Sequence, residues 1–182
     1  MKTLLLCSFT LAMLFPSITP SQVDIGAVAI APHLARPGVN LHGIAKTVSL
    51  DNELNQELAQ ARSTTARYHS VEAAEADGYV DISFCEPAEG CHWLKPSLLD
   101  AHFNPAEPEV LLYVPDDHGR MRLVAVEYLI PIAVSPVAPE GFLGEADEWR
   151  KESEGPGLWE LTVWIWLDNP DGIFAHHNPR VP

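Results

Sequence analysis

Two apolar runs separated by a short polar turn limit the fold more than anything else in the chain. Glu109–Val114 (EVLLYV) and Arg120–Ile130 (RMRLVAVEYLI) flank Pro115-Asp116-Asp117-His118-Gly119, and together they predict an antiparallel hairpin. Strand side chains alternate between faces. Leu123, Ala125, Glu127 and Leu129 are therefore expected on one face, with Val124, Val126, Tyr128 and Ile130 on the other. Both sets are mainly apolar, so the second strand should be central and covered on both sides. Glu127 is then an acid embedded in an apolar strand. Such a group needs a cation, hydrogen-bond donors or a metal, or else it stays protonated.

The covering layer is expected from residues 51–77. Asp51 reads as an N-cap, and Leu54, Leu58, Ala61, Thr65, Tyr68, Val71 and Ala74 follow helical spacing up to a stop at Gly78. Ser63-Thr64-Thr65 weakens the interior and divides the region. Tyr79–Phe84 and Leu158–Leu167 read as further strands, and the proline-rich stretch 131–157 as loop, either a flap or a solvated connection. The expected class is α+β: an antiparallel sheet or partial barrel packed against an N-terminal helical region.

The chain's 182 residues divide as a signal peptide (1–21), an irregular arm (22–50) and a single α+β domain (51–182). Lys2 followed by the apolar run Thr3–Phe15 and a small, helix-breaking exit marks the export segment, which is too short to span a bilayer. This predicts a secreted or periplasmic protein. Its 25 acids against 11 bases give a net charge of −14, which disfavours nucleic acid and anionic membrane as partners. A small-molecule ligand and a homo-oligomer both remain open. In an oxidising compartment Cys85 and Cys91 should form a disulfide, contributing about 2–2.5 kcal/mol by loop-closure entropy and pinning the segment that leads into His92.

Strand parity suggests a pocket wall. Glu160, Thr162, Trp164, Trp166 and Asp168 share a face, mixing aromatic bulk with fixed polar groups. The plainer reading makes the tryptophans packing residues and the acids solvated strand ends. His92 and Trp93 follow the disulfide loop. His92, Glu127 and a histidine from the corner His176-His177 make a two-histidine, one-carboxylate set suited to a divalent transition metal. Adjacent His176 and His177 are not expected to aim both rings at one ion. There is no HExxH, G-x-S-x-G, P-loop or GxGxxG, so no catalytic residue is marked.

Several segments together are similar to an uncharacterised family of exported bacterial proteins. They are Thr64-Thr65-Ala66-Arg67-Tyr68 through Gly78-Tyr79, His92-Trp93, Leu111-Leu112-Tyr113, Leu123–Tyr128, Val163-Trp164-Ile165-Trp166, and Asn169-Pro170-Asp171-Gly172-Ile173-Phe174-Ala175 with Asn178-Pro179. The resemblance covers about residues 60–182. It implies one exported domain and carries no established activity. Two departures stand out. The family has an aromatic, any residue and Asn-Pro after the histidine, where this chain has Trp93-Leu94-Lys95-Pro96. It also has a histidine on the last strand where this chain has Thr162, so either the site is degraded or His102, His176 or His177 replaces that ligand.

The leading expectation is an exported binding protein for a small or metal-containing ligand, with His92, Trp93, Glu127, Thr162, Trp164 and Trp166 lining an aromatic pocket. The alternatives are a metal-dependent enzyme using His92 and Glu127, and an interaction protein working through its aromatic C-terminal strand.

Overall fold

In a computed structural model, residues 41–144, 147–152 and 157–182 are described. The expected signal peptide, and the arm up to residue 40 with His33, lie outside them. Residues 40–182 form one compact unit. Among the described residues, no helix is long and apolar enough to cross a membrane.

Helix α1 runs Leu41–Thr65, so it begins ten residues before the expected start at Asp51 and takes in the last part of the supposed irregular arm. It passes into a 3-10 turn at Ala66–His69, and α2 follows at Val71–Ala76. Ser70 makes the break: its backbone is extended, and its hydroxyl accepts the amide of Ala73 as an N-cap.

The strands are β1 (Val80–Glu86), β2 (Gly90–Leu94), β3 (Val110–Pro115), β4 (Met121–Pro131), β5 (Arg150–Glu152) and β6 (Leu158–Val163). They form one antiparallel sheet in the order β1-β2-β3-β4-β6-β5. The fold is α+β, and the sheet is open. Side chains from β1 at one edge and from β5 at the other line a single cavity, so the sheet curls without closing.

One face of the sheet packs under the helices. Leu58 and Ala61 of α1, with Tyr68 and Ala74, meet Trp93, Leu111, Tyr113, Val126, Tyr128, Leu161 and Val163 in the larger core. The Tyr113 hydroxyl donates to the Tyr68 carbonyl at 2.5 Å, fixing the end of the helical layer to β3. The other face carries Val110, Leu112, Ala125 and Leu129, capped at one end by Trp164 and Val181.

Two expectations about strand parity are corrected. The β3–β4 register slips between Leu112 and Tyr113, so Leu123 joins the helix-side core and Val124 the opposite one. A bulge of this kind inserts one residue and inverts the faces on one side of it. The last strand stops at Val163, not Leu167, because the backbone turns and the Trp166 and Leu167 amides both reach the Val124 carbonyl.

Candidate metal centre

The site is built on the cavity face of β2, β4 and β6. Glu127 pairs across the strands with Thr162, and Leu129 with Glu160. His92 projects to the same side from β2, where it pairs with Leu112. The β1–β2 hairpin supplies Glu89. Its ends are joined by the Cys85–Cys91 disulfide, and these two cysteines face each other in register. Gly90 allows the hairpin to lie against β3. Its φ is +107°, and a Cβ there would stand 2.7 Å from the Tyr113 carbonyl oxygen. The C-terminal segment grips the turn from outside, with Asn178 N–H donating to the Ala88 carbonyl and Ala88 N–H to that of Pro182. His176 and His177 are thereby held over Glu89.

The resulting geometry is tight. His92 Nε2 lies 3.4 Å from Glu127 Oε2 and 3.8 Å from Glu89 Oε2. On the far side of the same carboxylate, Glu89 Oε1 lies 2.5 Å from His176 Nε2 and 3.1 Å from His177 Nε2. Glu89 and Glu127 are each only 2% exposed and His92 6%. Glu89 Oε1 is thus buried between two imidazoles, with His176 close enough to form a charge-assisted contact.

The outer contacts fix which ring nitrogens face inward. His92 Nδ1 is 3.1 Å from the Phe84 carbonyl, which only accepts, so Nδ1 carries the proton and Nε2 turns its lone pair on the two carboxyls. His176 Nδ1 is 3.1 Å from Glu160 Oε1, which is held in turn by Arg150 at 3.2 Å. Imidazoles oriented through Nδ1 by a carbonyl or carboxylate are the usual form of metal-binding histidines, and His92 keeps Nε2 unprotonated in that way, whereas His176 Nε2 is engaged with Glu89.

Charge is distributed unevenly. Burial raises the Glu127 carboxyl well above its ordinary range, reinforced by the negative charges of Glu160 and Glu89 and only partly offset by the Thr162 hydroxyl, which donates to Oε1 at 3.1 Å. Burial also lowers His92. His176 moves the other way. Burial opposes its charge, but Glu160 and Glu89 outweigh that and push it up to about 9. Glu89 and Glu160 feel the same burial, yet their contacts with His176 hold both below the usual value.

Two residue triplets bring ligand-type atoms within 4.8 Å of one another: Glu89, His92 and Glu127, and Glu89, His176 and His177. Both are chemically suited to a first-row transition metal. Glu89, His92 and Glu127 line a cavity of about 510 Å³ whose wall also carries the apolar side chains of Ile82, Phe84, Leu94, Leu129 and Leu158.

Of the residues singled out from the sequence, His92, Glu127, Thr162 and His176 come together. The tryptophans do not join them. Trp93 points into the helix-side core, edge-on to Tyr113. Trp164 is packed in the opposite core, with its indole N–H on the Ala175 carbonyl, and Trp166 donates to Thr65 and packs on His69. The cavity at His92 is therefore aliphatic and acidic, with Phe84 as its aromatic residue, while Trp164, Trp166 and Asp168 line a separate one with Arg62 and Asn169. His102 is exposed and belongs to neither triplet. His176 and His177, unexpectedly, do aim both Nε2 atoms at one oxygen. Glu89 is the residue that sequence reading passed over. Its one signal is the i, i+3 spacing to His92 inside a covalently closed hairpin.

No family model matches the chain, and no curated protein or solved structure does either.

Proposed function

We propose that the protein is an exported binding protein that holds a divalent transition metal through Glu89, His92 and Glu127 and offers it to a small ligand in the cavity. The observation that carries this reading is the nearly fully buried set Glu89, His92 and Glu127, whose ligand-type atoms lie within 4.8 Å of one another at a cavity wall. A carboxyl buried beside a second one, as Glu127 is beside Glu89, stays protonated unless a further cation meets it. Around one tetrahedral ion with bonds of about 2.0–2.1 Å, ligand atoms stand roughly 3.3 Å apart. The separations of 3.4 and 3.8 Å about His92 Nε2 need little change to accept one. Three protein ligands leave a position open, as in metal sites that bind exchangeable ligands.

Thr162, at the position where the resembling family carries histidine, serves Glu127 as a hydrogen-bond donor. His176 supplies imidazole from the opposite side of Glu89. The Cys85–Cys91 disulfide supports an oxidising compartment.

Isothermal titration of untagged, chelator-treated protein with Zn²⁺ tests the reading. Saturable binding that weakens ~10-fold or more in His92→Ala supports it. Binding absent in the wild type, or unchanged in the variant, refutes it.

A further inference from the structure

We infer that the centre takes two metal ions bridged by the Glu89 carboxylate, an inference that rests on the metal-binding reading above. The two oxygens of Glu89 serve different partners. Oε2 faces His92 Nε2, which stands 3.4 Å from Glu127, and Oε1 faces His176 and His177. Among the described residues the two triplets share Glu89 but do not merge into one set within 4.8 Å. The ligands of one ion with bonds of about 2.1 Å lie at most roughly 4.2 Å apart, even when trans. One ion therefore cannot satisfy both groups as they stand, whereas one ion on each side of the carboxylate can.

Glu89 is 2% exposed, and its Oε1 is turned toward His176 and His177, so an ion over His92 and Glu127 alone would leave those two imidazoles unused. The histidine arrangement agrees. His176 is oriented through Nδ1 by Glu160, just as His92 is by the Phe84 carbonyl, so each side of the bridge has one imidazole with an outer partner. Carboxylate-bridged pairs of this kind hold their ions about 3.5–4 Å apart and bind oxygen-donor ligands between them.

The test uses the full, untagged chain, dialysed to equilibrium against Co²⁺, with metal counted per chain and electron paramagnetic resonance recorded. Two Co²⁺ per chain with a spin-coupled, attenuated signal is the expected result. His177→Ala changes a side chain that is 59% exposed, so its folding is not at issue. It should drop the count to one, restore an uncoupled signal and leave the tighter affinity within about 3-fold. One Co²⁺ in the wild type, two uncoupled ions, or two ions retained by His177→Ala would overturn the bridged pair while leaving the single-ion reading intact. No Co²⁺ at all would overturn both.

Discussion

Glu109 is a buried acid outside the candidate metal centre, and it offers a quantitative check on how the sheet handles charge. It sits just before β3 and is 2% exposed, and its Oε2 accepts the Leu129 amide at 3.0 Å. Burial raises its carboxyl from the ordinary 4.5 to about 8, the Leu129 hydrogen bond notwithstanding. A folded-state value above the unfolded one means that the native protein binds more protons, so stability falls as pH rises. The contribution is complete below about 4.5, declines across the interval to about 8, and then levels off. At ~1.4 kcal/mol per pH unit, the full swing is about 5 kcal/mol. Glu109→Gln removes the titration but can keep the bond to Leu129, at a cost of about 1 kcal/mol for the extra amide group. Urea denaturation in the presence of chelator, from pH 4.5 to 9, should show the variant ~1 kcal/mol less stable than wild type at the acid end. By pH 9 it should be ~2–4 kcal/mol more stable, with the curves crossing between. Parallel curves over that range would refute the assignment of Glu109 as a buried acid protonated near neutrality.

Other outcomes follow from the site. Removing the disulfide with Cys85→Ser and Cys91→Ser together should lower stability by about 2–2.5 kcal/mol, and should also weaken Zn²⁺ binding, because the bridge holds the hairpin that carries Glu89 next to His92. Gly90→Ala should destabilise by about 2 kcal/mol or more in chemical denaturation, since its positive φ and the 2.7 Å approach to the Tyr113 carbonyl allow no relaxed alternative. Thr162→Val should cost the metal-free protein about 1 kcal/mol by removing the donor to Glu127 Oε1. Thr162→His should instead tighten Zn²⁺ binding ~10-fold or more, measured by chelator competition, by adding imidazole across from Glu127.

Much of the architecture can be read from the sequence, because burial on both faces leaves a direct mark. The run Leu123–Ile130 declares a central strand, and an acid within it declares a special site at Glu127. His92 is legible because a disulfide loop ends beside it. The errors have local causes. Parity counting presumes an unbroken ladder, and the slip between Leu112 and Tyr113 reassigns Leu123 and Val124. The same counting ran past Val163, where the chain leaves the sheet, and so placed Trp164 and Trp166 beside Glu160 and Thr162, whereas they line a separate cavity with Asp168. Glu89 carries no pattern of its own. Its place arises from a hairpin pressed on β3 at Gly90 and clamped at Ala88 by Asn178 and Pro182, contacts between segments far apart in sequence.

The central claim is that Glu89, His92 and Glu127 hold a metal ion, and anomalous diffraction from crystals grown with Zn²⁺ and recorded at the zinc edge tests it most directly. The expected result is a peak about 2.0–2.2 Å from His92 Nε2 and from a carboxylate oxygen of Glu127. A map without a peak in the cavity, or with peaks only at exposed histidines such as His102 and His118, would contradict the claim.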